Sequence, residues 1–437
     1  MARKVFISFL GFSNYSEGIY YKDDFQAQSA RFIQAATLEY LQTKETWTAN
    51  DVAYILLTKG AEEKNWVDDG QVDRETKQII KQKGLNSVLI ARKYPFPIET
   101  VRNLPDGNNE EEVFTIFSRI FNVLQEGDQL YFDVTHGFRS LPMLALVMTN
   151  YAKFLKNIKV QSITYGNWEA RKKREDERSY APIIDLLPLS QIQDWTFAAA
   201  DFLKNGNADR FAELAEVNGD EGVQKLSEAL SVVTKDFQTC RGMNILYPQH
   251  ILSLKKVLQD TEKNNVSSPI NQIIEKVDDA FSPFSTENDT AQIANGFEAA
   301  KWCLEHRLYQ QAATILQENV ISYFCVQLNV PINDEALRTK VSRAINHALH
   351  LGSKMSESKR QKKWEQVRNE ELEQYTQCTL EIDREIIKKY SNLSDIRNDF
   401  NHSGMREEPK SPDKICDNIK EIYNELRCLN LTIHPHA

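Results

Sequence analysis

No apolar run in this sequence is long enough to cross a bilayer. A span needs about 18 such residues, and the longest candidate, residues 141–148, gives way at once to Thr149 and Asn150. No membrane partner is expected. The opening Met-Ala-Arg-Lys leads into an apolar stretch that is interrupted by Ser8 and lacks a cleavage-type ending, so no secretory leader is read from it. The six cysteines are scattered without a CxxC pair, which argues against a disulfide framework and against a thiolate metal site. A reduced, cytoplasmic protein is expected, with neither metal nor cofactor. Positive charge is in deficit too: 53 Lys and Arg against 62 Asp and Glu leave a formal charge of −9. That excludes a general basic surface coating long duplex nucleic acid, though not a local basic site. Walker A and GxGxxG patterns are missing, which argues against a mononucleotide bound in the usual kinase or dehydrogenase manner. No repeat of 20 to 50 residues and no low-complexity tail stand out.

What is present is ordinary in amount. The 437 residues are 41% hydrophobic and 26% charged, enough to bury sizeable cores in two or three domains. The first 185 residues alternate short apolar runs with amphipathic stretches. Residues 4–10, 53–57, 87–91, 129–134 and 160–165 read as buried strands, and 24–43, 73–83, 110–125 and 141–155 as helices. This alternation predicts an α/β domain with a mostly parallel sheet covered on both faces. Ligands of such sheets sit beyond the carboxyl ends of the strands. The loops after Phe9, Leu57 and Val134 are therefore the places to look for function.

From about residue 188 the β signal nearly vanishes. Helical spacing runs through 191–203, 208–216, 222–236 and 249–260, polar loops are expected at 261–268 and 282–290, and helix resumes from 291 to the end. The mixed-sign segment 169–178 reads as a solvated hairpin or loop tip. Residues 354–368 carry six basic residues against Glu357 and Glu365, either a path for a polyanion or a solvent-exposed face.

The richest stretch of the first half is Leu130-Tyr-Phe-Asp-Val-Thr-His-Gly-Phe-Arg-Ser-Leu-Pro-Met143. An apolar strand runs into Asp133, then Thr135, His136 and Gly137, then directly into a helical pattern. Gly137 permits a tight turn or a close backbone approach. Thr135, His136, Arg139 and Ser140 place donors at a helix N-terminus, where free N–H groups and the helix dipole favour an anion. The plainer alternative is that Asp133 and Thr135 cap the helix and His136 is a turn residue. Phe9-Leu-Gly-Phe-Ser-Asn-Tyr15 also leaves a strand through a glycine into small polar residues, and Thr58-Lys59-Gly60 offers a third wall with a positive charge.

Asp133-Val-Thr-His-Gly137 resembles the DxTHG signature of CRISPR-associated proteins with a CARF domain, a Rossmann-like fold. The loop 9–15 resembles the family's N-terminal Leu-Gly-Thr-Gly-Asn-Tyr, with Phe12 and Ser13 where Thr and Gly are usual. The resemblance covers residues 1–185. It implies dimerisation and a cyclic oligoadenylate bound across the two-fold axis, with a leaning toward cyclic tetraadenylate. The implied ligand residues are Gly11, Phe12, Ser13, Asn14, Thr58, Lys59, Thr135, His136, Gly137, Phe138, Arg139 and Ser140.

In the second half, apolar residues at 382, 386, 390, 393, 396 and 400 predict one helix ending at Gly404. Within it lies Arg397-Asn-Asp-Phe-Asn-His402. A bare Arg-x4-His is weak evidence, because eight histidines and 21 arginines in 437 positions give about 0.4 such pairs by chance. Five residues at about 100° each put the two side chains roughly 140° apart on an ideal helix. Two copies of this helix facing each other in a dimer would remove that difficulty. An imidazole moves protons near neutral pH, and a guanidinium holds a phosphate and the charge developing on it. This pairing suits RNA cleavage by the substrate's own 2′-hydroxyl. The plain alternative pairs Arg397 with Asp395 or Glu407 and leaves His402 to the helix dipole.

Arg397-Asn398…His402 resembles the R-N-x3-H motif of HEPN ribonucleases, and residues 309–320 resemble their first core helix. The resemblance implies that Arg397 and His402 are catalytic and that Asn398 orients them. The expected organisation is a CARF sensor (1–185), a helical connecting region (186–290) and an all-α HEPN domain (291–437). The expected activity is metal-independent cleavage of single-stranded RNA by a homodimer, with higher oligomers left open, in type III CRISPR defence. Two alternatives stand beside it: a ligand-sensing regulatory protein whose helical half only dimerises, and a ring nuclease that degrades the activator in the sensor domain.

Overall fold

The computed structural model describes the chain apart from residues 1, 74, 138–139, 219–220, 264–267, 288–289, 383, 406 and 430–437. It divides into two compact units, Met1–Gln193 and Asp194–Ala437. The first is built on nine strands: β1 (Lys4–Phe9), β2 (Ile19–Lys22), β3 (Phe25–Gln26), β4 (Val52–Thr58), β5 (Ile98–Leu104), β6 (Gln129–Asp133), β7 (Lys159–Gly166), β8 (Lys172–Lys173) and β9 (Ser179–Asp185). Their order is β3-β2-β9-β7-β6-β1-β4-β5, with β8 paired to β9. From β7 to β5 all pairings are parallel. Among the described strands, antiparallel pairing joins β2–β3, β7–β9 and β8–β9.

Alternation along β1 explains the layering. Val5, Ile7 and Phe9 face one core with Ile116, Ile120, Leu144 and Met148, from helices Glu110–Val123 and Leu141–Lys156. Phe6 and Leu10 face the other with Phe32, Leu38, Leu85 and Leu89. Side chains of a strand point alternately to the two faces, so a doubly covered strand reads as a continuous apolar run. The chain begins at β1, moves outward to β4 and β5, and then crosses back to lay β6 and β7 on the other side of β1. That reversal is a topological switch point, and it sets the ends of β4, β1 and β6 side by side.

Several expectations need correction. Residues 87–91, expected as a strand, lie in helix Leu85–Arg92, whose buried residues Leu85 and Leu89 are four apart and which ends at Lys93 in the left-handed conformation. A short apolar run does not distinguish strand from helix. Residues 73–83, expected as a helix, instead turn back on themselves through a bridge between Val72 and Ile79. Asp73 Oδ1 accepts from the amides of Glu75 and Thr76, the local competition by which a short acidic side chain displaces a helix. The expected helix 24–43 begins only at Ile33. Strands β2, β3, β5, β8 and β9 went unpredicted. The mixed-sign segment 169–178 is largely a hairpin, in which β8 returns along β9.

The second unit is helical, with a main apolar core running from Trp195 to Leu426 and a smaller cluster of Leu351, Val367 and Leu372. Helix Leu187–Asn205 crosses the boundary between units, eight residues beyond the expected end of the sensor at 185. Helix Ser268–Asp279 lies between the two expected loops. The basic run forms helix Glu357–Asn369, in which Val367 is the buried residue. The helix expected over 382–404 spans Arg384–Asn401. Among the described residues no helix is long and apolar enough to cross a membrane.

Candidate functional site

Buried carboxamides shape the loop that leaves β1. Gln34, from helix Ile33–Lys44, donates to Phe9 O at 2.8 Å. Asn65 Nδ2 donates to both Gly11 O and Ser13 O at 2.8 Å. Gln71 Nε2 donates to Asn65 Oδ1 at 3.0 Å and reaches Phe12 O at 3.3 Å. Asn65 is fully buried and sits in a π-helical turn, Glu62–Trp66, a form that recurs at functional sites. Carbonyls that would otherwise be orphaned are thus satisfied from within, and the loop is held open. At Gly11 a Cβ would lie 2.0 Å from Tyr15 Oη, so this close approach requires glycine.

The loop that leaves β6 is held by its own signature residues. Asp133 is fully buried opposite Ser8 of β1, and its Oδ1 accepts from Thr135 N at 2.8 Å. Burial raises its pKa to about 6, while the Thr135 and Ser8 donors pull the other way. Its Oδ2 has no hydrogen-bond partner among the described residues. Thr135 Oγ1 accepts from Gly166 N at 2.8 Å, tying the loop to the end of β7. Gly137 has φ +136°, and a Cβ there would meet Leu141 Cδ2 at 2.7 Å, so glycine is required here as well. His136 stacks on Tyr15 with ring centroids 4.3 Å apart and planes 24° apart. Surrounding protein lowers the His136 pKa to about 4 even though part of the residue stays open to solvent, so the ring is neutral at pH 7.

A cavity of about 550 Å³ opens between these loops and the end of β4. Of the residues that the resemblance implies, Gly11, Phe12, Ser13, Thr58, Thr135, His136 and Gly137 line it. Three expected residues do not. Lys59 is 85% exposed and turns along the surface to Glu63 at 4.0 Å. Asn14 is exposed outside the cavity. Ser140 is the residue before helix Leu141–Lys156 and makes no side-chain cap. Phe138 and Arg139 lie outside the described residues. Among the described residues the basic group at the cavity is Lys64, 5.2 Å over the ring of Phe12, which is 60% exposed. Asp106 and Asn108 complete the wall. Asn65, Gln71, Lys64 and Asp106 carry no motif, and no signal in the sequence marked them; Asn65 and Gln71 are buried, whereas Lys64 and Asp106 are exposed.

In the second unit, Arg397 and Asn398 lie in the last turns of helix Arg384–Asn401, and His402 follows in the closing turn. His402 N donates to Asn398 O at 3.0 Å and Gly404 N to Asp399 O at 2.9 Å, with Ser403 and Gly404 both at positive φ. Asn398 and His402 are exposed and Arg397 is half-buried. Among the described residues no ion pair joins Arg397 to Asp395 or Glu407.

Residues 5–169 match the family model described as the CARF domain of the CRISPR system endoribonuclease Csx1. Residues 191–286 match the second domain of the CRISPR-associated protein MJ1674. The MJ1674 protein of Methanocaldococcus jannaschii is 24% identical over 220 residues, covering 50% of this chain and 32% of that protein; the chain thus spans about a third of that relative's length. Csm6 of Enterococcus italicus, bound to cyclic hexa-2′-fluoro-hexa-dAMP, superposes with a TM-score of 0.48 and 10% identity, covering 100% of this chain and 95% of that one. The parallel sheet, the signature loop and the cavity between them lie within the first matched segment. The first unit is thus similar, over residues 5–169, to the CARF domain of Csx1-type CRISPR proteins, and residues 191–286 are similar to the second domain of MJ1674.

Proposed function

We propose that this protein is a homodimeric endoribonuclease of type III CRISPR defence, switched on by a cyclic oligoadenylate. The observation that carries the reading is that the cavity-forming loops lie within the segment matching a Csx1 CARF domain, a family described as an endoribonuclease. The cavity chemistry suits a ring of nucleotides. Lys64 supplies charge, and Phe12 offers an exposed face to an adenine. Thr135 and neutral His136 add uncharged hydrogen-bonding groups. Cyclic tetraadenylate is the activator favoured by the family resemblance.

Dimerisation is supported by Met143, Val147, Tyr151 and Phe154, which form an exposed apolar stripe on helix Leu141–Lys156. Steps of four, four and three residues set them along one face. Exposed Phe114 stands on the neighbouring helix. A patch of this kind marks an interaction surface, and a second copy would bring two sensor cavities and two Arg397/His402 pairs into one molecule.

Residues 1–185 are assigned as sensor, 186–290 as connecting helices and 291–437 as a HEPN effector. His402 takes the proton of the substrate 2′-hydroxyl, the resulting oxygen attacks phosphorus, and the 5′-oxygen leaves with a proton from the partner's imidazolium. The products are a 2′,3′-cyclic phosphate and a 5′-hydroxyl. Arg397 holds the phosphoryl oxygens as charge builds, and Asn398 orients the pair. Activation is a population shift: the ligand binds more tightly to the arrangement in which the two pairs are competent.

The test is cleavage of labelled single-stranded RNA in EDTA, with and without cyclic tetra- and hexaadenylate. Arg397→Ala and His402→Ala should each lower activated cleavage by at least about 100-fold while activator binding is retained. Equal cleavage by both variants and the parent would remove the catalytic assignment. Consumption of the activator without RNA cleavage would move the chemistry to the sensor.

A further inference from the structure

A second cavity, of about 670 Å³, lies in the helical unit between helices Tyr309–Gln327, Glu335–Leu351 and Gly242–Leu246. Its volume is that of a small-ligand site. The floor is apolar, with Ile245, Leu246 and Ile315 all buried. The hydroxyls of Thr314 and Thr339 line the walls and donate only to carbonyls of their own helices, at 3.0 and 2.9 Å. Arg338 is locked to Glu318 at 2.6 Å and to Ser322 at 2.9 Å, so that wall is rigid. Arg343 stands at the rim, 63% exposed and only 3.9 Å from Glu370.

The packing of helices places this cavity toward the end of helix Arg384–Asn401 that carries Arg397. Ser342 Oγ lies 2.7 Å from Tyr390 Oη, and a Cβ at Gly352 would lie 3.4 Å from Arg384 Nε. Helices Glu335–Leu351 and Arg384–Asn401 therefore run antiparallel. The cavity-lining turns at Glu335, Arg338 and Thr339 point toward the end of helix Arg384–Asn401 that carries Arg397. A second contact fixes the level: Gln317 Nε2 donates to Ser394 Oγ at 3.0 Å, one residue before cavity-lining Glu318 and one turn before Arg397. Tyr390 and Arg397, seven residues apart, lie on one face about 10 Å from each other along the axis. The basic helix Glu357–Asn369 starts beyond Leu351, and its C-terminal end returns to the rim, where Glu370 faces Arg343.

We propose that this cavity receives the base of one RNA nucleotide next to the cleaved bond, and so sets the base preference of cleavage. This rests on the ribonuclease reading above. Bases of single-stranded RNA can be splayed out of the stack. Here one would pack on Ile315 and Met243, a side chain that adapts to flat surfaces. Its edge would meet the Thr314 and Thr339 hydroxyls, with Arg343 at the adjoining phosphate.

The experiment sequences the ends made from a randomised RNA pool by the activated full-length protein. The parent should show a base preference at one position flanking the cut. Thr314→Phe and Thr339→Trp fill the cavity without orphaning a partner, and should lower that preference about tenfold while melting temperature and activator binding stay unchanged. A preference identical in the parent and both folded variants would overturn the pocket while leaving the ribonuclease intact. Absence of cleavage by the parent would overturn both. As a measurement that needs no filled variant, His402→Ala protein is irradiated with RNA carrying 4-thiouridine. Crosslinks at Met243 or Ile315 support the pocket, and crosslinks confined to residues outside it overturn it.

Discussion

The rings of Tyr15 and His136 stack with centroids 4.3 Å apart and planes 24° apart, joining the loop after β1 to the loop after β6. Burial raises the Tyr15 pKa and lowers that of His136, so both are uncharged at neutral pH. The contact costs no ionic desolvation, and it fixes one loop against the other before any ligand arrives.

The pH dependence of stability should betray two opposed groups. Asp133 has a folded pKa raised to about 6. Its contribution is full below about pH 4 and is lost as the pH rises through 6. His136 has a folded pKa lowered to about 4, so its contribution is full above about pH 6.5 and is lost as the pH falls toward 4. In the parent the slopes oppose each other between pH 4 and 6. In denaturant titrations, Asp133→Asn should become more stable with rising pH across this window, and His136→Gln less stable. For Asp133, a two-unit shift corresponds to about 3 kcal/mol. Unchanged slopes in both variants would contradict the assignment.

Removing the amide clamp should damage binding from behind the cavity wall. Asn65→Ala deletes two donors to loop carbonyls and the acceptor of Gln71. The expected loss is about 1–3 kcal/mol of stability, with activator affinity down about tenfold by calorimetry. Gln71→Ala should have a smaller effect in the same direction. Normal affinity in a correctly folded Asn65→Ala protein would show that the loop needs no clamp.

Phe12 gives the converse case. It is 60% exposed and its ring meets Lys64 at 5.2 Å, so Phe12→Ala should leave the melting temperature within a degree or two. Stacking of a base on an aromatic ring is worth about 1–3 kcal/mol. Activator affinity should therefore fall about tenfold or more, and an unchanged dissociation constant would exclude Phe12 as a stacking platform.

Charging the exposed stripe tests the dimer. Phe154 is 83% exposed and Met143 69%, so Phe154→Asp with Met143→Asp should fold normally as far as circular dichroism can tell. Sedimentation should shift from dimer to monomer, and activated cleavage should disappear with it. A dimer that persists in the double variant would place the interface elsewhere.

Much of the first unit was legible because its central strands are covered on both faces. Continuous apolar runs such as Lys4–Phe9 and Gln129–Asp133 then announce themselves, and glycine marks the loops at their ends. The unpredicted strands are of another kind. β5 is Ile-Glu-Thr-Val-Arg-Asn-Leu at the sheet edge, and β9 carries Pro182; neither has the buried run by which the others were recognised. The site was half legible for a related reason. Gly11, Thr135, His136 and Gly137 follow the strands directly, whereas Asn65, Lys64 and Gln71 arrive through a turn whose form is decided by tertiary packing. Lys59 read as the basic wall because it follows Thr58 in sequence, but the chain turns at Thr58, whose hydroxyl accepts from Ala61 N, and Lys64 stands at the cavity instead.

The π-helical turn makes the sensor vulnerable to a change of length as well as of chemistry. Val67 N reaches back five residues to Glu62 O, one more than an α-helix allows. Deleting one residue of 62–64 would restore ordinary helical winding and rotate the downstream chain, Asn65 included, by about 100°. Asn65 would then swing away from Gly11 and Ser13, although no cavity-lining residue of β1 or β6 had changed. In this fold the shape of a binding loop is encoded partly as a residue count in a neighbouring turn, so insertions and deletions there would retune ligand preference without touching the signature motif.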